Sequence, residues 1–353
     1  MSSPPRHLLK DLSLSAIAAG FVTVLVGFAS SAVIVFQAAQ SLGASPEEIS
    51  SWMWALGLGM GLTCIGLSLR YRMPVVTAWS TPGAAMLIGS VAGLPLSDAI
   101  GAFLMSALLI AASGFSGFFE RMISRIPVSL ASGMLAGVLL RFGIDAFAAM
   151  KTQLGMVLTM FAVYLLARRL LPRYAVILTL LVGIAFAAGL GLLRVDGLSL
   201  QLAKPVFTTP TFSLAAIVGI ALPLFIVTMA SQNVPGVAVI RASGYAIPIS
   251  PVVGWTGLVN LLLAPFGAFA LNLAAITAAI CMGREAHEDA ARRYVAAIAA
   301  GVFYVVVGLF GATVAALFAA FPKELILAIA GIALLGTIGN SLAAALRDEA
   351  ERE

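Results

Sequence analysis

The amino-acid sequence predicts an all-α polytopic membrane protein. Of its 353 residues, 61% are hydrophobic and only 10% are charged, and the mean hydropathy is +1.07. A soluble globular domain carries about 25% charged residues. This composition therefore excludes the soluble class and predicts many membrane-spanning helices.

Twelve apolar windows of the sequence are long enough to cross the hydrocarbon core, which takes about 20 residues of helix. The third and the tenth are short and interrupted. The first is too long, and the segment before it too brief, for a cleaved signal peptide. No appended soluble domain is expected. The windows fall at 13–42, 50–69, 74–92, 96–115, 127–145, 152–168, 174–192, 213–235, 250–268, 269–283, 291–318 and 323–345.

Lys and Arg predict the orientation of these spans. With the N-terminus in the cytoplasm, fifteen of the basic residues fall on the cytoplasmic side and five on the opposite side. This is a positive-inside distribution, and it requires that both interrupted windows count as full crossings. We therefore expect a multi-pass protein of the inner (plasma) membrane with a cytoplasmic N-terminus. The net charge of +5 follows from this topology, and no nucleic-acid partner is expected.

The two interrupted windows share one defect. In Pro74 to Gly89 and again in Pro265 to Gly283, an extended run is followed by a short helix of small residues, with polar residues at the junction. Backbone that stops being helical inside a bilayer leaves N–H and C=O groups unpaired, so it survives only beside a protein-enclosed cavity. A matched pair of such breaks indicates the substrate site of a transporter.

The residues at the breaks favour an anion. If the half-helices begin near Ser80 to Pro82 and near Asn272, then Ser80, Thr81 and Asn272 are of the types that cap helix N-termini. Two opposed N-termini would each present free N–H groups and about half a positive charge. By this assignment no Asp, Glu, Lys, Arg or His lies deep in the membrane. We therefore predict an anion site without fixed charge.

Further candidates for substrate binding lie close to the breaks. Gln232 and Asn233 offer amide donors and acceptors to a carboxylate, with the joining of helices as the alternative role. Ser30 is a weaker candidate, because a serine also bonds to its own helix. Trp79 and Phe269 are candidates for packing on an aromatic ring, with packing in the core as the alternative.

Other motifs indicate structure rather than chemistry. The glycines of GLGMG (Gly57 to Gly61) lie within a span and follow no strand, which favours close helix packing over nucleotide binding. His7 and His287 lie in separate loops, and Cys64 and Cys281 have no neighbours of a ligand type. No metal or other cofactor is expected. An enzyme is not expected either, because the spans lack titratable groups.

A weak internal repeat joins the two halves of the chain. At an offset of 201 residues FASSAV (Phe28 to Val33) lies over MASQNV (Met229 to Val234). After a change in loop length, Pro82 to Met86 lies over Asn272 to Ile276. Seven spans separate the copies, and an odd number inverts the second copy, as an inverted repeat requires.

Three stretches of the sequence are specific rather than generic apolar sequence: VVTAWSTPGAAM (Val75 to Met86), SQNVPGVAVIRASGY (Ser231 to Tyr245) and GLVNLLLAPFGAFALNLAAITAAICMG (Gly257 to Gly283). They resemble the BenE family of benzoate/proton symporters, and the resemblance covers essentially the whole chain. That family is similar in fold to uracil and xanthine permeases and to sulfate-type anion transporters. The resemblance implies seven-plus-seven inverted repeats, with a core domain at 1–115 and 201–318 and a gate domain at 116–200 and 319–353.

The sequence departs from the pattern of these families in two respects. Only about twelve spans precede the hydrophilic segment LRDEAERE (Leu346 to Glu353), after which the pattern continues into two more crossings. Two explanations stay open: the sequence is a shortened form or a fragment, or the gate is completed differently, for example by a partner. The second half of the gate is therefore expected to be partial in this chain. Uracil-type permeases carry carboxylates where Gln232 and Asn272 fall here. Their proton mechanism is therefore not carried over.

The function that the resemblance implies is import of benzoate, or a similar aromatic carboxylate, together with a proton by alternating access. Importing an anion alone would cost about 2.3 kcal/mol per 100 mV, and a proton removes that cost. The proton could travel on the substrate carboxylate or through the loop GREAHEDAARR (Gly283 to Arg293), which is otherwise a solvated turn.

Two alternatives stay open: a carrier or channel for another small anion, and a non-transporting membrane scaffold. The expected partners are the carboxylate, the proton and the lipid bilayer. A homodimer is also left open.

Overall fold

The computed structural model of the protein describes residues 11–90, 94–123, 136–137, 140, 143–171, 174–193, 202–319 and 321–346. Two short strands, β1 (Thr77–Trp79) and β2 (Leu271–Leu273), interrupt a helical chain. The helices are α1 (Leu14–Ser41), α2 (Pro46–Tyr71), α3 (Thr81–Ser90), α4 (Leu96–Phe115), α5 (Phe118–Ile123), α6 (Met150–Leu170), α7 (Ala175–Gly189), α8 (Leu214–Ala242), α9 (Ile249–Leu263), α10 (Ile276–Met282), α11 (Tyr294–Ala319) and α12 (Lys323–Ala345).

Six helices in the described part of the chain are long and apolar enough to cross a membrane. The prediction of an all-α polytopic membrane protein is confirmed at this level, whereas the count of twelve crossings stays a prediction. The predicted span at 127–145 lies mostly outside the described residues. The six segments are Pro46–Tyr71, Leu96–Phe115, Met150–Leu170, Leu214–Ala242, Ile249–Phe266 and Ala290–Gly311.

Local signals fix the ends of the first two helices. The Ser13 side chain accepts a hydrogen bond from Ala16 N at 3.2 Å and caps α1. Ser45 and Glu48 form a reciprocal capping box at the start of α2, with Pro46 in its first turn. These caps pair N–H groups that a helix N-terminus would otherwise leave free.

The two interrupted windows pair with each other. As predicted, each is an extended segment followed by a short helix, and the extended segments form one antiparallel ladder. Ser80 N donates to Ala270 O at 3.0 Å and Ala274 N donates to Val76 O at 2.9 Å, which prolongs the ladder at both ends. The non-helical backbone is therefore satisfied inside the protein. The register is Thr77 to Leu273, Ala78 to Asn272 and Trp79 to Leu271.

The start of the second half-helix was predicted wrongly. The helix α10 begins at Ile276, while Asn272 lies at the centre of β2 opposite Ala78. Pro82 is the second residue of α3, so aligning it with Asn272 matches a helix with a strand. Strand pairing continues through Leu273, and Ala274 N still donates to Val76 O, so the helix begins later than the capping preference of Asn indicates.

A glycine permits the sharp turn into the second break. Gly267 has a φ of 102°, in the left-handed region that favours glycine. A Cβ at this position would lie 1.8 Å from Trp52 Cδ1. Any side chain here would displace the buried Trp52 ring, so the turn requires glycine.

The GLGMG glycines bring α2 against α11. A Cβ on Gly57 would lie 2.6 Å from Gly308 Cα, and one on Gly61 would lie 2.4 Å from Val305 Cγ2. The backbones approach this closely only because side chains are absent, as in other small-residue contacts between membrane helices. The packing interpretation of this motif is confirmed.

The helices pack in two groups. In the larger one, α11 lies against α1 and α2, and α4 lies along α9, where a Cβ on Gly114 would meet Gly254 N at 2.3 Å. In the smaller one, α6 packs against α7 and α12. The groups meet where α12 and α7 contact α1.

Candidate functional site

A cavity of about 160 Å³ opens where the two breaks meet. It is lined from both break segments and from α1, α2, α8 and α11. Its polar side chains are Ser31, Thr81, Ser231, Gln232, Thr277 and Tyr304, and none of its described lining residues is Asp, Glu, Lys, Arg or His. The cavity thus offers neutral hydrogen-bonding groups in a largely apolar wall.

Three of the predicted site residues face this cavity. Thr81 is the first residue of α3, Gln232 lies in a π-helical turn of α8 (Met229–Asn233), and Trp79 ends β1. Such π-helical turns occur frequently at functional sites. The side chain of Ser30 lies outside the described residues.

The Trp79 ring is held in a fixed position. Its Nε1 donates to Ser31 Oγ at 2.9 Å, and its ring meets Phe28 edge-on with centroids 4.6 Å apart. The Ser31 hydroxyl in turn donates to Gly27 O at 2.9 Å. Trp79 therefore presents a rigid aromatic wall to the cavity.

Ser80 does not line the cavity but caps the helix α3 beside it. The side chain is fully buried, and its Oγ accepts a hydrogen bond from Gly83 N at 3.1 Å. This is the capping role expected of serine at a helix start. Ser80 fixes α3 and is not available to a ligand.

Asn233 stabilises the second break through hydrogen bonds of its side chain. Its side chain is fully buried, its Oδ1 accepts from Leu273 N at 2.9 Å, and its Nδ2 donates to Met229 Sδ at 3.1 Å. It joins α8 to β2, which is the alternative role considered for this amide. It does not line the cavity.

Asn272 is neither a cap nor a lining residue. It is fully buried in β2, and neither amide atom has a hydrogen-bond partner within the described part of the structure. An unsatisfied buried polar group costs about 1–3 kcal/mol. The predicted capping role is wrong, because α10 starts four residues later.

Phe269 belongs to a different cluster. Its ring lies 6.0 Å from Trp52 and 6.1 Å from Phe103, centroid to centroid. The residue is buried and does not line the cavity. Of the two uses considered for it, packing in the core is the one observed.

The two half-helices differ at their N-termini. Ser80 caps α3, whereas α10 follows Ala275 and has no side-chain cap. Ala275, Ile276 and Thr277 line the cavity. The first N–H groups of a helix have no partner within that helix, so α10 turns hydrogen-bond donors toward the cavity region.

The loop after α10 buries two of its polar side chains, unlike a fully solvated turn. His287 and Arg293 are 7% and 9% exposed. Arg293 Nη1 donates to Met282 O at 2.8 Å, at the end of α10, and Asp289 N donates to His287 Nδ1 at 3.0 Å. A cation at a helix C-terminus is stabilising, so this loop anchors the half-helix.

Sequence reasoning missed Tyr304. This residue is 1% exposed, lies in α11, and lines the cavity. No break or polar neighbour marks it in the sequence. The available signal is a hydroxyl-bearing ring in the middle of an otherwise apolar helix, since a buried Tyr usually has a hydrogen-bonding role.

Comparison with known proteins agrees with this architecture. The family model "Benzoate membrane transport protein" (BenE) matches residues 10–353. The chain belongs to the BenE family. It is accordingly a multi-pass membrane transporter and not an enzyme.

Two relatives match the full length of the chain. It is 48% identical over 352 residues to the inner membrane protein YdcO of Escherichia coli (strain K12), of which it covers 88%. It is 40% identical over 353 residues to the benzoate membrane transport protein of Acinetobacter baylyi, of which it covers 90%.

One solved structure shares the fold of this BenE chain. The transmembrane domain of the cyanobacterial bicarbonate transporter BicA matches with a TM-score of 0.50 at 14% sequence identity, over 95% of this chain and 90% of that one. At this identity the likeness concerns the fold alone.

Proposed function

We propose that this chain is a secondary transporter that imports benzoate, or a similar aromatic carboxylate, together with a proton. The observation that carries the proposal is the cavity of about 160 Å³ between the two breaks, which has no charged residue in its described lining. A protein cavity of about 150 Å³ accommodates benzene. The cavity therefore matches one aromatic ring.

Neutral donors are proposed to hold the carboxylate. Gln232 and Thr81 contribute an amide and a hydroxyl, and the uncapped start of α10 contributes backbone N–H groups. Hydrogen bonds to a charged group are each worth about 1.5–3 kcal/mol. The substrate would thus be recognised as an anion without a fixed countercharge, and Trp79 would contact its ring.

Proton coupling is the thermodynamic part of the proposal. An anion entering against an inside-negative potential costs about 2.3 kcal/mol per 100 mV. Import with one proton is electroneutral and avoids that cost. Family membership supports benzoate as the substrate, since a relative at 40% identity bears the name of a benzoate membrane transport protein.

The proposed mechanism is alternating access between two domains. The core domain comprises 1–115 and 201–318, and the gate domain comprises 116–200 and 319–353, with a cytoplasmic N-terminus and inverted repeats. The packing of α6 with α7 and α12 supports a separate gate. The cavity would then be exposed to either side as the core moves against the gate.

A counterflow experiment tests this function. Proteoliposomes preloaded with unlabelled benzoate are expected to take up external labelled benzoate faster than protein-free liposomes. Exchange with chloride or bicarbonate, but not benzoate, would instead indicate a carrier for another small anion. An absence of exchange with any of these anions would indicate a scaffold and contradict the proposal.

A further inference from the structure

One wall of the cavity is formed by a residue without a side chain. Gly27 on α1 lines the cavity. A Cβ at this position would lie 3.2 Å from the Tyr304 hydroxyl oxygen and 3.6 Å from Thr277 Cγ2. The space between α1, α10 and α11 is therefore open because residue 27 is glycine.

The groups facing Gly27 have little freedom to retreat. Tyr304 is 1% exposed, and its ring lies 6.1 Å from that of Phe28, centroid to centroid. Thr277 is 8% exposed, and its carbonyl accepts a hydrogen bond from Thr23 Oγ1 at 3.3 Å. Buried side chains in close-packed surroundings yield by only small shifts. A methyl group added at residue 27 would thus occupy space within the cavity rather than displace its wall.

The cavity is small enough for one added methyl group to matter. It measures about 160 Å³, against roughly 150 Å³ for a cavity that holds benzene. A ring bound in this space would lie close to Gly27, which is part of the lining. A methyl group at residue 27 would take up part of that volume.

We propose that Gly27 and Tyr304 are the specificity-determining residues of this transporter. The cavity that both residues line admits a carboxylate with one six-membered aromatic ring, and a side chain at residue 27 narrows it. This inference rests on the proposed function, since it concerns the ring of the same substrate. It adds two residues that the capping and amide arguments do not involve.

The first test compares Gly27→Ala with Gly66→Ala. Both glycines lie in helices, and nothing lies within 4 Å of a Cβ on Gly66, so this control reproduces the helix-stabilising effect of alanine without touching the cavity. One methylene in an apolar pocket changes recognition about 10–200-fold. We expect Gly27→Ala to lower the kcat/KM of benzoate uptake at least about tenfold, and Gly66→Ala to leave it unchanged.

Competition between carboxylates of different size shows whether Gly27→Ala loses benzoate uptake because the ring no longer fits. In the wild type, unlabelled benzoate is expected to inhibit labelled benzoate uptake more strongly than cyclopropanecarboxylate does. In Gly27→Ala, inhibition by cyclopropanecarboxylate is expected to strengthen relative to inhibition by benzoate. An unchanged ratio of the two inhibition constants in Gly27→Ala would contradict the role of residue 27 in setting the ring size.

A double variant, in which the methyl group added at residue 27 is offset by removal of the Tyr304 hydroxyl, provides a second test. Tyr304→Phe removes the oxygen that a Cβ at residue 27 would meet, so Gly27→Ala with Tyr304→Phe should recover part of the benzoate affinity that Gly27→Ala loses. Binding of benzoate to purified protein by calorimetry measures this recovery even if transport is slow, and a melting curve shows that each variant is folded.

Two results would overturn the inference while leaving the proposed function intact. One is wild-type benzoate kinetics in folded Gly27→Ala. The other is a double variant that binds benzoate no better than Gly27→Ala. By contrast, failure of the wild type itself to bind or exchange benzoate would contradict the proposed function.

Discussion

Single residues around the breaks divide into those that face the cavity and those that hold the backbone. Gln232 lines the cavity, while the adjacent Asn233 accepts a hydrogen bond from β2. Successive helical side chains point in directions about 100° apart, so two neighbouring amides serve different roles. The sequence identified both residue types, but their directions depend on where β2 lies.

The amide of Gln232 is predicted to contribute to substrate affinity. Gln232→Ala removes one neutral hydrogen bond to a carboxylate, which is worth about 1.5 kcal/mol or more, and should raise the Kd for benzoate about tenfold. The matched control is Gln40→Ala, because Gln40 is an exposed glutamine of α1 that does not line the cavity. Calorimetric titration of both variants measures the difference, and an equal Kd in both would remove Gln232 from the site.

The buried amide of Asn272 is predicted to cost stability. Because neither amide atom has a partner in the described structure, Asn272→Leu removes an unsatisfied polar group at similar volume. Such a replacement is neutral or stabilising. The melting temperature in detergent should therefore stay the same or rise, and a clear fall would show that the amide is satisfied in the membrane.

At the scale of elements, the two breaks could be predicted because their composition is local. Small residues, prolines and polar steps mark where each helix stops. The length of β2 could not be predicted, because its partner β1 lies nearly 200 residues away in the sequence. For this reason the start of α3 was placed correctly from Ser80 to Pro82, whereas that of α10 was not.

A hydrogen bond between α5 and the start of α9 leads to a prediction about the pH dependence of stability. Glu120 on α5 accepts a hydrogen bond from Ser250 N at 3.0 Å, at the start of α9. Burial by itself would raise the pKa of Glu120. The hydrogen bonds from Ser250 and Ile249, together with the charge of Arg241, outweigh burial and hold the pKa below its ordinary value of 4.5.

A carboxyl whose pKa is lowered in the folded state stabilises the fold above its unfolded pKa. That contribution is lost as the pH falls from 4.5 through the lower, folded value. Glu120→Gln should therefore lower the melting temperature at pH 7 by an amount that shrinks below pH 4.5. Glu288→Gln, at an exposed position, is the control. A difference that is the same at pH 7 and pH 3.5 would contradict the role of the charge.

At the scale of the whole molecule, the half-helix that lines the cavity is connected to the smaller helix group. Glu285 follows α10, and its Oε1 lies 2.9 Å from the position of a Cβ on Gly336 in α12. Arg168 of α6 reaches the same point, with Nη2 at 3.6 Å. Movement of the proposed core against the proposed gate would therefore change the surroundings of these two charged side chains. Neither this arrangement nor the place of Tyr304 has a local signal in the sequence, because both arise from packing between distant helices.

The central claim is that this BenE family member carries benzoate together with a proton. The most direct test is the initial rate of labelled benzoate uptake into proteoliposomes, with and without an imposed pH gradient that is alkaline inside. Protein-free liposomes under the same gradient measure the passive entry of benzoic acid. We expect the protein to add a rate that rises with the gradient and collapses when a protonophore is added. A rate equal to that of protein-free liposomes, or a protein-dependent rate indifferent to the gradient, would contradict the claim.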